Sequence, residues 1–469
     1  MKLFKLTSIA AITCSAFLMV STANAQSEIG GDLELKSDIE GGVLNAAIGE
    51  DNEANTSINS LSNVKVGGNA KIETEVQGGV LNAAIGKGNT AETKLGSVSD
   101  SEIGGNLEVT TSVKGGVLNA AIGNDNDAAV SIGSIEDSDI TGNATIDTEI
   151  VGGVLNAAIG KDNTATTSIG SVQGSDIGGN LEINTDITGG VLNAAIGDGN
   201  EANTRVGSVV DSSVGGDAEI NTEIKGGVLN AAIGTDNVAN TNIGSAVGSD
   251  VGGNLEIDTK IEGGVLNAAI GKDNRAETNI GSLVDSSVGG NAKIETSIVG
   301  GVLNAAIGED NTAVTNIGSV SGSEVGGDLD IQTQIKGGIL NAAIGKGNTA
   351  VTNVGSVIDS EITGSATIDT TITGGVLNAA IGEDNTAVTN IGSVTGSKIG
   401  GDLNVETNIT GGVLTAAIGK GNTAKTSIGS IEDSSVGGNA TLETNITGGV
   451  LNAAIGNGNS SEVSIGSVQ

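Results

Sequence analysis

The chain of 469 residues contains no histidine, tryptophan, tyrosine or proline, and only one cysteine, two phenylalanines and two methionines. Cys14, Phe4, Phe17, Met1 and Met19 all lie near the start, so everything after residue 25 lacks these three types as well. Without a cysteine pair there is no disulfide framework and no thiolate site. Without histidine, cysteine or tyrosine, only carboxylates, lysines and hydroxyls are left for catalysis, and none forms a singular constellation, because each recurs in many copies. No enzyme is therefore expected, and no cofactor. Basic residues are also scarce, 20 against 56 acidic. This balance excludes nucleic acid as a partner, since phosphate binding needs a basic surface. Acidic chains of low hydrophobicity stay disordered, but here charged residues are only 16% and mean hydropathy is +0.10. With Val and Ile recurring at fixed positions, the chain is expected to order itself.

The first 25 residues read as a secretory signal peptide: Lys2 and Lys5, an apolar run from Leu6 to Val20 too short to span a bilayer, and the small-x-small site Ala23-Asn24-Ala25. Ala11-Ile12-Thr13 before Cys14 lacks the pattern of a lipidation box. No later apolar segment is long enough for stable membrane insertion. The leader holds two lysines and no acid, leaving 18 basic against 56 acidic residues, a net charge of −38, for a secreted mature chain of residues 26–469.

Those 444 residues are twelve times 37. The motif GGVLNAAIG at 41–49 returns at 78, 115, 152 and onward, and a strict period of this length marks a solenoid whose units bury their apolar faces only against neighbours. In the unit 174–210, Leu181, Ile183, Thr185 and Ile187 alternate with polar residues, as do Ala202, Thr204 and Val206, giving two one-faced strands. Between them Val191–Ile196 is apolar at both parities, which predicts a strand buried on both faces. The expected fold is all-β: a β-solenoid of twelve stacked, in-register parallel rungs without caps, amyloid-like, each rung flat and folded back around a middle VLNAAI strand. At roughly 4.8 Å per rung the rod would be about 58 Å long.

Stacking turns each position into a column. Asn45, Asn82, Asn119, Asn156, Asn193, Asn230, Asn267, Asn304, Asn341, Asn378 and Asn452 form a structural Asn ladder interrupted by Thr415, and a second column runs from Asn52, Asn89 and Asn126 to Asn459. Stacked amides can bond along the axis. After the Ile-Gly turn, Lys272, Glu309, Lys346, Glu383 and Lys420 alternate in sign, which avoids repulsion between layers. Acids such as Asp51 and Asp310 could hold a hard cation, but Gly88 and Gly199 occupy the equivalent place elsewhere, so they read as turn carboxylates. The Thr185 and Thr204 columns are in phase with inward residues, which speaks against an exposed ice-binding array. One column alternates with twice the period, from Leu33 and Ala70 through Leu403 and Ala440, so Leu33 and Ala440 are the expected end-to-end docking pair.

At GGVLNAAIGKDNTATTSIGSV (residues 152–172) the cadence resembles the repeats of Fap-type bacterial functional amyloid subunits, and more distantly curli. The resemblance implies self-association into biofilm fibres, export through an outer-membrane secretion pore and a nucleator subunit. The chain departs from the Fap pattern in having no linkers between repeats, no C-terminal cysteine pair and few glutamines. Two readings follow: an extracellular subunit that polymerises end to end, or a monomeric cell-surface adhesin rod.

Overall fold

The computed structural model describes residues 5–9 and 27–469, apart from 51, 52, 89, 126, 162, 163, 200, 237, 274, 311, 348 and 459. Most of the expected signal peptide, with its cleavage site, lies outside the described residues. Each repeat contains five strands, except the last, which has four and a single bridge from Val468 to Ile431. In the rung around residues 174–210 these are an opening strand Asp176–Ile177, an acidic strand Leu181–Thr188, an alanine strand Val191–Asp198, a return strand Glu201–Val206 and a closing strand Val209–Val210. Every strand pairs in parallel with its equivalents 37 residues away, as in Leu181↔Ala218 and Val191↔Val228. The result is a β-solenoid of five parallel sheets, with twelve rungs in the acidic, alanine, return and opening sheets. Lys5–Ile9 adds a strand to the acidic sheet, pairing with the first rung from Lys5↔Glu34 to Ile9↔Asp38.

Three clusters fill the interior, and their side-chain sizes set the shape of the rung. Leu181 and Ile183 meet Ile177 and Val209 in one. Ile187, Val191 and Val206 close a corner in the next. At the far tip only Ala195 and Ala202 face each other, which lets the alanine and return strands approach closely. Thr185 and Thr204 do point inward, at 3% and 0% exposure. The alternating column also stacks as the sequence implied, with Leu181 between Ala144 and Ala218. Alternating large and small side chains let successive layers interdigitate.

The alanine strand corrects one expectation. Val191, Asn193 and Ala195 face the interior, but Leu192 is half-exposed and Ile196 is 37% exposed. The strand is one-faced with respect to the core, and its second apolar face lies on the outside. Apolar residues at both parities show that both faces are apolar, not that both are covered. The acidic strand packs at the Ile187–Val191 corner and then against the closing and opening strands, so it never crosses the back of the alanine strand. The rung encloses one interior instead of folding flat.

Backbone geometry explains two sequence features. The turn after the alanine strand requires the left-handed region: Asp310 has φ 57° and Asp384 φ 61°, and the same place is taken by Gly347 at 74° and Gly421 at 77°. Gly and Asp interchange there because both tolerate this conformation, which accounts for the acid without a cation; Asp51 lies outside the described residues. At the corner before the alanine strand, Gly189 has φ 132°, and a Cβ there would lie 2.1 Å from the Gly152 carbonyl oxygen. Only glycine allows rungs to stack at this corner.

The two adjacent alanines therefore differ. Ala195→Glu would place a carboxylate in the narrowest part of the core, at a cost of several kcal/mol, whereas Ala194, although only 7% exposed between the Leu192 and Ile196 columns, is on the opposite face, from which a longer side chain can reach solvent. Thermal unfolding followed by circular dichroism should show a large loss of stability for the first and a small one for the second; equal losses would contradict the one-faced alanine strand.

Candidate functional site: axial ladders and open ends

The asparagine column lies inside the rod between the alanine and return strands. Asn82 Nδ2 donates to Asn119 Oδ1 at 3.0 Å, and Asn119 to Asn156 at 3.0 Å. Asn156 donates to Asn193, and Asn193 to Asn230, both at 3.2 Å. The same amides bond sideways to the return strand: Asn193 Nδ2 lies 2.7 Å from the Asn203 carbonyl and 3.1 Å from that of Ala165. From Asn119 to Asn193 each amide thus joins two layers and two sheets, and burial of the polar group is offset by bonds in both directions. Further along, Asn267, Asn304, Asn341 and Asn378 also donate to threonine hydroxyls of the return strand, as in Asn378 to Thr389 at 2.9 Å. Thr415 keeps the connection where the column changes residue: its hydroxyl donates to Thr389 at 3.0 Å and accepts from Thr426 at 2.7 Å. At the two ends, Asn45 donates to the Asn55 carbonyl and Asn452 to the Ala424 carbonyl. Of the second expected column, only Asn385 and Asn422 are among the described residues; the Asn385 backbone N–H donates to Asn422 Oδ1 at 2.7 Å.

Three ladders were not found from the sequence. Before the acidic strand, the side-chain oxygen of one rung accepts the backbone N–H of the next: Asn69 N–H to Asp32, Asn106 to Asn69, and so on to Asn439 N–H on Asp402 at 2.7 Å. Asn, Asp and Ser interchange in this column because each offers an acceptor oxygen at the right reach. The serine after the return strand does the same, Ser208 N–H donating to Ser171 Oγ at 3.2 Å. A serine after the closing strand works in the opposite sense, with Ser175 N–H donating to Ser212 Oγ at 3.2 Å. A buried outer run, Asn279 to Asn316 at 2.8 Å and Asn316 to Asn353 at 3.0 Å, continues the theme at the end of the return strand. The repeated serines and Asx residues were visible in the sequence, but whether a side chain reaches along the axis depends on its rotamer and on local turn geometry.

Charges sit mainly on the outer face of the acidic strand. Lys71 bonds Glu108 in the next rung at 2.6 Å and Lys260 bonds Glu223 at 2.8 Å. Hydrogen bonds from Lys36 and Lys71 hold the Glu73 carboxyl below the usual range. Elsewhere acids stack on acids: Asp258 is raised by partial burial and then by Glu295, against the lowering effect of Lys293, and Asp369 by partial burial and then by Glu406. Lys272, Glu309, Lys346, Glu383 and Lys420 do stack in register. Among the described residues, however, the ion pairs lie elsewhere, and this column acts by separating like charges. No group of three His, Cys, Asp or Glu residues among the described residues could hold a metal ion.

Leu33 and Ala440 lie at opposite ends of the rod, so one chain does not bring them together. At the C-terminal end Ala440 is exposed, and Leu442, Ile446 and Val450 are only partly buried against the core below. At the N-terminal end Leu35, Ile39 and Val43 are in the same state. Among the described residues the C-terminal rung therefore presents a cross-section of the core, and the N-terminal rung does so away from the acidic strand, where Leu33 is only 8% exposed. The strand Lys5–Ile9 covers the acidic-sheet edge of the first rung, and that edge opens if the leader is removed. Protein-family models, curated proteins and solved structures contain no match to this chain.

Asn193→Ala should leave Asn156 without its axial acceptor and Asn230 without its donor, lowering stability by about 1–3 kcal/mol, while Asn193→Thr should cost less because Thr415 already fills this position naturally. Denaturant titration of the two variants measures the difference. A second expectation concerns pH. Asp258 and Asp369 have raised folded-state pKa values, so their ionisation costs stability, and that cost disappears as pH falls through the raised values. Asp258→Asn and Asp369→Asn should each raise the unfolding midpoint at pH 7 and leave it nearly unchanged at pH 3.

Proposed function

We propose that this protein is an extracellular structural subunit that polymerises end to end into amyloid-like fibres, its partners being further copies of itself. One observation carries the reading. In the opening, acidic, alanine and return sheets all eleven junctions between rungs are made by the same in-register pairing of equivalent strands, and in these four sheets the last rung offers to a newcomer the surface that every earlier rung offers to its successor. Docking the first rung of one copy on the last rung of another repeats a junction already formed within the chain. Asn439 Oδ1 would accept the Asp32 N–H, as Asp402 accepts that of Asn439. Ala440 would meet Leu33, continuing the Leu–Ala alternation. Exposed sheet edges of this kind template addition. The leader-like start and the resemblance to Fap-type repeats support secretion and a place in a biofilm matrix, with an outer-membrane pore and a nucleator as the accessory partners.

The test is elongation of purified 26–469 on preformed seeds, with fibre diffraction. The proposal expects seeded growth and a meridional reflection near ~4.8 Å; a rod that stays monomeric at high concentration supports the adhesin reading instead. Chain length provides the sharper check. Removing residues 433–469 sets Leu403 against Leu33 at each junction, a crowding cost of about 1–3 kcal/mol. Removing 396–469 restores Ala366 against Leu33, so the ten-rung protein should elongate faster than the eleven-rung one.

A further inference from the structure

The outer face of the alanine sheet has no role in the single rod. Its outward columns are Leu192, Ala194 and Ile196 and their equivalents in all twelve rungs, without one charged residue among them, the alanines from Ala157 to Ala416 lying low between the two larger columns at 5–8% exposure. The exposed members include Leu81 at 38% and Ile418 at 37%. Five residues across at ~3.3 Å and twelve rungs at ~4.8 Å make a strip of roughly 900 Å². Apolar patches on ordinary monomers stop at about 300–600 Å². Two such strips face to face would bury about 1,800 Å², the size of a stable specific interface.

We infer that this face pairs laterally with the same face of a second copy, joining two rods side by side. Charge selects the occupant. On the outer face of the acidic sheet, the columns of Glu182, Asn184 and Asp186 hold eighteen acids and four lysines, so pairing through that face is repulsive. The rims of the apolar strip are different. The column of Asp198 has five lysines against four acids, and that of Thr188 three lysines against two. Two copies can therefore meet here without concentrating negative charge. Shape agrees with a second copy too. A shallow groove lined by the Gly190, Val191 and Leu192 columns runs along the axis from Gly79 to Leu340. The Ile196 column stands on the other side of the strip. A two-fold axis parallel to the rods places the isoleucine ridge of each copy over the groove of the other, in an isologous contact. Both rods then point the same way, so pairing is compatible with growth at one end and does not require it.

The experiment counts chains per cross-section, by mass per length of fibres in scanning transmission electron microscopy or, if no fibres form, by sedimentation equilibrium of the rods. One 37-residue rung every ~4.8 Å gives about 7.5 kDa per nm for a single filament, so the wild type should show about 15 kDa per nm, or a dimer. Ile159→Lys, Ile233→Lys and Ile307→Lys combined should halve that value while preserving the β-sheet circular dichroism spectrum. Ile→Thr at the same three positions, which keeps β-branched side chains, should weaken pairing if the lysine protein does not fold. Thr145→Lys, Glu219→Lys and Thr367→Lys on the acidic face should leave pairing intact. A wild type that is one chain wide overturns the inference, including one that instead binds phosphatidylcholine–phosphatidylglycerol vesicles. Persistence of the pair in the folded lysine variant overturns it as well.

Discussion

Parallel, in-register pairing at about 4.8 Å makes every residue the neighbour of its own equivalent, and the rest of the molecule follows from that constraint. It rewards side chains that bond well to copies of themselves and penalises those that repel. Asparagine, with a donor and an acceptor on one amide, can be buried in a column, and Asn119, Asn156 and Asn193 are wholly buried and linked through their side chains. Serine and Asx side chains at the turns add further axial bonds through the backbone N–H of the adjacent rung. These bonds run along the same axis as the backbone ladders, so every layer is connected to the next through polar groups as well as apolar packing.

The same constraint explains where charges are placed. A lysine beside a glutamate one rung away forms a close pair, as Lys293 does with Glu256 at 2.8 Å. An aspartate that is partly buried and also lies over a glutamate is instead pushed toward protonation, as at Asp258. The pairs are exposed and individually weak. Their effect is to make identical stacking tolerable in a chain with 56 acids.

Segregation gives the rod two unlike sides. The acidic strand turns its charges to solvent, while the alanine strand presents leucine and isoleucine without a charge among them. Apolar exposure on this scale, flanked by rims of nearly balanced charge, is a feature of surfaces that are covered in an assembly. Growth at the ends and pairing along the side would use different surfaces of the same molecule, one made of exposed backbone edges and the other of side chains.

The sequence by itself determined the repeat, the number of rungs, the parallel register and the inward columns, because a strict period of 37 leaves each residue no partner but its own copy and because alternation in strands reveals one buried face. The Asn193 column and the Leu181–Ala218 alternation were legible for the same reason. Only the tertiary structure decided which sides of the rung face each other. Val191–Ile196 is apolar at both parities, and local periodicity is identical for a strand covered on both faces and a strand with one face in water. The bend at Gly189 sends the acidic strand along the corner and away from the back of the alanine strand. Likewise the serine and Asx ladders depend on side-chain direction at turns, which spacing does not encode, and the exchange of Asp310 for glycine depends on a positive φ that residue type permits but does not impose.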